Sequence, residues 1–375
     1  MIKILINGVT LEEGNIVPLL LKIKTWQTMG CIISIIGSQK LRERIKEINI
    51  LIKEYNFIEL YKANSTKNKI YFIFESIRRN LILIKNIKYY NNFDLIYSIS
   101  SVLDLIIFFY FLKILNRKIK WTTVFDNIVS IGEKRISIIR VLALLFFHLS
   151  LALIRQADYI FVISEDLKNY LIRRQFDNKK IILTGNGVEV DLIKKSKKLN
   201  NYNIDALYVG RINETKGIYD MLKVLKIVKK RYPNFNLSIM GRGDVSSEIK
   251  FLRLIKEKKL EDNIKFLGYK TGLEKFNIIK SSKIFLFLSK SESFGVALLE
   301  AVCCGLKAVV YELEPYKKIY LNNEVIMVTK NNYSKAADEV LKIIDRSDFE
   351  NKKGKLLLNK YSWDVIAKKE YEAFI

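Results

Sequence analysis

Short runs of β-branched and aromatic residues recur along this chain, separated by stretches of helical length, and this alternation limits the fold more than any other feature. In the first half the runs are residues 2–7, 31–37, 69–75, 94–98, 121–126 and 159–164, and a last one at 180–187 leads into a glycine turn. Runs this short and this uniformly apolar suit strands buried on both faces, which is the condition of a parallel sheet. A βαβα rhythm of that kind predicts a doubly wound sheet with ligands beyond the carboxyl ends of its strands. The segment KKSKKLNN at 194–201 is polar, charged and without apolar periodicity, so it reads as a linker. After it the rhythm restarts at 206–209, 237–240, 264–267, 284–288, 308–311 and 325–328. The expected fold class is therefore α/β, two doubly wound Rossmann-like domains at 1–193 and 204–360. A linker at 194–203 joins them, and a terminal helix with Ser362 as its N-cap occupies 361–375.

Composition fits that division. A chain of 375 residues exceeds the size at which one core keeps growing, and half of its residues are hydrophobic. Cys31, Cys303 and Cys304 form no disulfide framework and no zinc-ligand spacing, which points to a reducing, cytoplasmic setting and to no metal. The formal charge of +25 favours anionic partners, whether nucleic acid, acidic phospholipid or a phosphorylated substrate, although abundant lysine also reads as plain solvated surface. Residues 1–7 read as a first strand rather than as a signal peptide. The apolar stretch 141–154, which contains the single histidine His148, is too short to span a bilayer and reads as a buried or interfacial helix. His148 is expected to be a packed side chain rather than a catalyst.

The chemistry concentrates in the second half. Glu292 and Glu300 lie within SKSESFGVALLEAVCCG at 289–305, directly after the strand-like run 284–288. Residues 296–304 have helical composition and stop at Gly305, so Glu292 falls on a strand-to-helix loop and Glu300 within the helix. The loop exposes the free N–H groups of a helix start, which hold phosphate, while carboxylates accept hydrogen bonds from sugar hydroxyls. Gly210 and Arg211 follow another strand-like run, and Lys216 precedes Gly217 at a helix start, which places both cations to neutralise a diphosphate. GRG at 241–243 lacks the complete glycine fingerprint and reads as a turn, as does GNG at 185–187.

The block at 292–300 resembles the E-x7-E signature of retaining glycosyltransferase family 4, including its Phe-Gly pair. ALYVGRINETKG at 206–217 resembles that family's strand, Gly-Arg turn and Lys-Gly helix start, and LSIMGRG at 237–243, FLGY at 266–269 and YSW at 361–363 match weaker landmarks. The resemblance is strong from residue 204 onward and loose before it. It implies a GT-B architecture, with the two domains facing across a cleft and the last helix crossing back to the first. It further implies that Arg211 and Lys216 contact the donor's diphosphate, that Glu292 binds the transferred sugar and Glu300 the ribose, and that Phe294 and Gly295 offer backbone N–H groups. Gly268 and Tyr269 would lie near the base. In the first domain the family's histidine after the fifth strand is absent, with Asp126 in its neighbourhood, and the glycine loop is reduced to Gly14 and Asn15. These three residues are candidate acceptor or sugar contacts.

The resemblance thus implies a retaining transferase of the hexosyl type. It would move sugar from a nucleoside diphosphate sugar to a hydroxyl of a lipid-linked glycan in surface polysaccharide assembly, with no cofactor, no metal and no nucleic acid partner. A protein of this kind would be cytoplasmic and could lie on the anionic inner face of the plasma membrane. A nucleotide-sugar epimerase of the same fold and a non-enzymatic polyanion-binding protein are the alternatives. The epimerase is disfavoured by the lack of acid/base histidines, and the polyanion binder leaves Arg211, Lys216, Glu292 and Glu300 without a role.

Overall fold

A computed structural model describes residues 1–12, 16–48, 50, 52, 55–59, 69–129, 138–347 and 349–375. The chain divides into two compact units, Met1–Gly185 with Trp363–Ile375, and Asn186–Ser362. In the first unit the strands are β1 (Lys3–Asn7), β2 (Ile32–Gly37), β3 (Asn56–Glu59), β4 (Leu95–Ser98), β5 (Lys120–Phe125), β6 (Tyr159–Val162) and β7 (Ile181–Leu183). They form one parallel sheet in the order β3-β2-β1-β4-β5-β6-β7. In the second unit β8 (Ile204–Val209), β9 (Leu237–Met240), β10 (Ile264–Gly268), β11 (Ser282–Phe287), β12 (Lys307–Tyr311) and β13 (Ile326–Val328) pair in the order β10-β9-β8-β11-β12-β13, again all parallel. Both are doubly wound sheets whose order reverses beside their first strand, which is the Rossmann arrangement.

Burial explains why the strand-like runs are so apolar. Ile4 and Ile6 of β1 point into one helix layer with Trp26 and Tyr97, while Leu5 points into the other with Phe109 and Trp121, and all seven side chains are inaccessible to solvent. The terminal helix Trp363–Glu372 completes the first of these layers by packing against the helix Val17–Thr28. There Lys22 Nζ and Glu370 Oε1 form a buried ion pair of 3.0 Å, Tyr97 Oη donates to Glu370 Oε2 at 3.0 Å, and Trp26 Nε1 donates to the Ala367 carbonyl at 3.0 Å. The last helix is thus tied down by paired polar groups as well as by apolar burial.

Two features differ from the sequence reading. Residues 69–75, expected as a strand, begin the helix Lys69–Lys85, and the strand that completes this edge is β3. The helix escapes its usual pattern because polar residues interrupt its inner side ahead of buried Leu83. Ser76, Arg79 and Asn80 all bond the carboxylate of buried Asp104, with Arg79 Nη2 2.6 Å from Oδ2, while Phe74, Ile77 and Leu81 face out. The segment expected as a linker, 194–203, packs into the second unit, and the chain passes between units at Gly185 instead. Lys197 N donates to Asn277 Oδ1 (2.9 Å) and Leu199 N to Ser281 Oγ (2.8 Å), so backbone amides that composition assigns to solvent are met by the helix Gly272–Ser281.

Candidate functional site

The reversal of strand order in the second unit lies between β8 and β11; Arg211, Lys216 and Glu292 lie on the segments that follow these strands, and Glu300 lies in the helix Val296–Cys303 after β11. Ligands of doubly wound sheets bind beside such a reversal because the two adjacent loops diverge there. After β8, Gly210 leads into exposed Arg211, whose carbonyl accepts a 2.5 Å hydrogen bond from Tyr208 Oη. Burial, with Glu292 adding to it, pushes the Tyr208 phenol well above the ordinary tyrosine range, so the ring stays a donor that holds this turn. Asn213 Oδ1 accepts from Lys216 N at 2.9 Å and shapes the turn that presents the lysine. Gly217 follows with φ 70°, and the helix Ile218–Arg231 starts from it with no side-chain cap.

After β11 the geometry is repeated. Gly295, with φ 86°, opens the helix Val296–Cys303, again with no side-chain cap. Each of these helix starts leaves N–H groups without intrahelical partners and carries the positive end of a helix dipole. The two loops are stitched to each other, because Lys290 N donates to the Thr215 carbonyl at 2.9 Å and buried Ser289 Oγ donates to the same oxygen at 3.3 Å. Phe294 is buried with its ring edge-on to Tyr361, so what it offers outward is backbone.

Two ion pairs order the carboxylates. Lys216 Nζ lies 2.6 Å from Glu292 Oε1, which joins the two loops by a charge-assisted bond. Glu300, one turn into its helix and only 8% exposed, accepts from Lys275 Nζ at 2.7 Å, and Glu189 stands 3.8 Å from the same ammonium. Burial opposes the charge on Lys275, but Glu300 and Glu189 outweigh it and hold its pKa above the ordinary lysine value. Burial raises the Glu189 carboxyl, with Lys275 pulling it down and Glu300 pushing it up. Lys275 and Glu189 carry no sequence signal of their own, since one lies on an otherwise ordinary helix and the other on a loop about a hundred residues from Glu300. Lys275→Met is expected to weaken nucleotide binding by roughly one to two orders of magnitude, because the charge-assisted bond that orients Glu300 is worth ~1.5–3 kcal/mol. Calorimetric titration with nucleotide checks it.

The other candidates lie further out. Gly268 ends β10 with φ 69°, and its carbonyl accepts from Gly241 N at 2.9 Å along the same sheet edge. Tyr269 beside it is exposed rather than packed, with the Arg242 guanidinium 5.9 Å from its ring centre. In the first unit Asp126 follows β5, exposed, and accepts from Ser100 Oγ at 3.0 Å. Gly14 and Asn15 lie outside the described residues. His148, expected to be packed, is exposed, its ring edge-on to Phe147. Among the described residues no three His, Cys, Asp or Glu side chains are grouped to hold a metal ion.

Residues 189–356 match the model of the family described as glycosyl transferases group 1. A GDP-mannose:cellobiosyl-diphosphopolyprenol alpha-mannosyltransferase of Xanthomonas oryzae is 26% identical over 165 residues, 43% of this chain and 43% of that protein. A phosphatidyl-myo-inositol mannosyltransferase of Mycobacterium tuberculosis is 27% identical over 195 residues, 48% of this chain and 50% of that protein. The chain thus spans about half the length of these curated relatives. Among solved structures, Anabaena Alr3699/HepE in complex with UDP-glucose superposes with a TM-score of 0.75 at 13% identity over 99% of both chains. A glycosyltransferase from Rickettsia africae superposes with a TM-score of 0.71 at 19% identity over 100% of this chain and 97% of that one. The chain therefore has the fold of two Rossmann-like domains shared with these glycosyltransferase structures, and its residues 189–356 are similar to the glycosyl transferases group 1 family.

Proposed function

We propose that this protein is a retaining glycosyltransferase that moves a sugar from a nucleoside diphosphate sugar to a hydroxyl of a lipid-linked glycan, in the assembly of a surface polysaccharide. The observation that carries the reading is the convergence, at one reversal of strand order, of two uncapped helix starts, two cations and two carboxylates. Cations and helix starts suit the diphosphate; the carboxylates suit hydroxyls of sugar and ribose. The named relatives act on polyprenol-linked and phosphatidylinositol acceptors, which supports a lipid-borne acceptor here.

In this mechanism the bond between the anomeric carbon and the diphosphate oxygen breaks while Arg211, Lys216 and the two helix starts stabilise the charge gathering on the leaving group. Groups already in place when that charge develops need little reorganisation, so they lower the barrier without a metal. The acceptor hydroxyl attacks from the same face, forming the new bond to the anomeric carbon, and its proton passes to the departing phosphate. Glu292 holds hydroxyls of the sugar and keeps Lys216 extended towards the donor; Glu300, set by Lys275, holds the ribose. The protein works without a resident cofactor, at the cytoplasmic face of the membrane.

NMR of the isolated product tests the stereochemistry. A product with the anomeric configuration of the donor is expected, and an inverted product would refute the same-face mechanism while leaving the donor site intact.

A further inference from the structure

One helix layer of the first unit carries large apolar side chains on its outer side as well as on its inner one. In the helix Lys69–Lys85 the inward side carries Ser76, Arg79 and Asn80, bonded to Asp104, and then buried Leu83, while Phe74, Ile77 and Leu81 at i, i+3 and i+7 stand in solvent, Leu81 61% exposed. The neighbouring helix Leu103–Leu115 exposes Phe111. Beyond it the helix Ile138–Leu153 exposes Val141, Leu145 and Leu149 at i, i+4 and i+8, with Leu145 58% exposed. The inner sides of these helices share one core with β4 and β5, so their exposed apolar side chains lie on the same side of the sheet. Large apolar side chains exposed at helical spacing on adjacent helices mark a docking face rather than scattered surface residues.

Cations border it. His148 and Ala152 continue the face of Leu145 and Leu149, and they open onto a cavity of about 400 Å³ lined also by Arg155, Arg173, Arg174 and Phe176, with no acidic residue in its lining. The cavity is built rather than incidental. Arg155 stacks on the buried Phe176 ring at 4.3 Å and donates to the Gln175 carbonyl (3.1 Å) and the Arg174 carbonyl (2.6 Å), which fixes a turn in which Gln175 has φ 61°. Arg174 lies over the Tyr170 ring at 4.6 Å. Guanidinium groups gathered without a carboxylate suit a phosphate.

We propose that this face docks on an anionic phospholipid bilayer, with the outward side chains of the three helices in the interfacial region and a lipid phosphate in the arginine-lined cavity. An apolar surface edged by cations has the amphipathic pattern of an interfacial protein, and the chain's charge of +25 gives the same sign of attraction at long range. Its purpose rests on the proposed lipid-linked acceptor; its physics does not.

Co-sedimentation with phosphatidylglycerol vesicles, and with phosphatidylcholine vesicles as the uncharged comparison, tests it. Wild type is expected to bind the first and not the second. The pair Arg173→Gln and Arg174→Gln is expected to lower partitioning about thirtyfold, since each cation near an anionic surface contributes about fivefold. Leu145→Glu is expected to abolish binding, and circular dichroism confirms that each variant is folded. Lys226→Gln and Lys230→Gln, which remove the same charge from the second unit, are expected to change partitioning by less than about twofold. Equal losses in both double variants would reduce the effect to net charge and overturn the proposal. So would binding of inorganic phosphate without binding to vesicles, or a Leu145→Glu variant that splits a dimer but still binds vesicles. Transfer to a short-chain, water-soluble acceptor is expected to survive in Leu145→Glu; its absence in wild type as well would count against the transferase reading and not against docking.

Discussion

Lys216→Ala is expected to lower kcat/KM for sugar transfer by about 10²–10³-fold, with most of the loss in kcat. The ammonium lies 2.6 Å from Glu292 Oε1, on a turn fixed by Asn213 and beside an uncapped helix start. In the proposed mechanism its charge matters most when the diphosphate departs, and an interaction that strengthens in the transition state appears in kcat rather than in KM. The magnitude is that of removing one preorganised donor to a developing oxyanion. The same substitution leaves Glu292 mostly buried without its cation, so stability is expected to fall by ~1–2 kcal/mol as well. Lys216→Arg separates the two effects. It restores charge and thus stability, but a planar fork does not reproduce a point donor at this distance, so catalysis recovers only in part. A Lys216→Ala enzyme with KM raised and kcat unchanged would assign the lysine to ground-state binding instead. Steady-state kinetics with donor varied at saturating acceptor reads this split.

Gly217→Ala is expected to be the most disruptive single methyl group in the second unit. A Cβ there would fall 1.7 Å from the Leu288 carbonyl oxygen, which is backbone at the end of β11, and the residue sits at φ 70°. Neither side has a flexible side chain to yield, so the loops after β8 and β11 must part. The left-handed backbone contributes about 1 kcal/mol and the overlap a further ~1–3 kcal/mol. For a unit of this size that corresponds to a fall in melting temperature of roughly 4–16 °C, read by calorimetry. Because those loops carry Lys216 and Glu292, nucleotide binding is expected to fail even below the new melting temperature. Gly295→Ala is the informative comparison. Its Cβ would come 2.7 Å from the edge of the buried Tyr316 ring, a longer approach and to a side chain rather than to backbone, so a smaller loss is expected despite the similar φ of 86°.

Most strands of both sheets were legible because parallel strands buried on two faces must be apolar throughout, and a short apolar run between helical stretches has few other readings. The site was legible for a different reason. Gly210 with Arg211, Lys216 with Gly217, and Glu292 with Gly295 each lie within a few residues of a strand end, so sequence spacing alone puts them on the ligand edge of a doubly wound sheet. What could not be read were partners distant in the chain. Lys275 and Glu189 meet Glu300 only because the helix Gly272–Ser281 and the loop after β7 converge there. Ser289 and Asn213 look like ordinary loop residues until the Thr215 carbonyl and the Lys216 amide are seen beside them. The helix at 69–85 was misread because Asp104 interrupts its amphipathic pattern: three polar side chains turn inward to one carboxylate and break the apolar stripe that continues at buried Leu83. The failed linker at 194–203 has the same origin, since polar backbone met by side chains from another helix has the same composition as a solvated strand of chain.

The central claim is that the reversal between β8 and β11 holds a nucleoside diphosphate. Thermal unfolding of wild type and of Glu300→Ala in the presence of UDP, GDP, ADP and their sugar conjugates tests it most directly, because a ligand that binds only the folded chain raises the melting temperature in proportion to its occupancy. Stabilisation of wild type by one nucleotide class, lost in Glu300→Ala while the unliganded variant melts within a few degrees of wild type, is the predicted result. No response of wild type to any member of the panel would contradict the account and leave a protein that binds polyanions by charge.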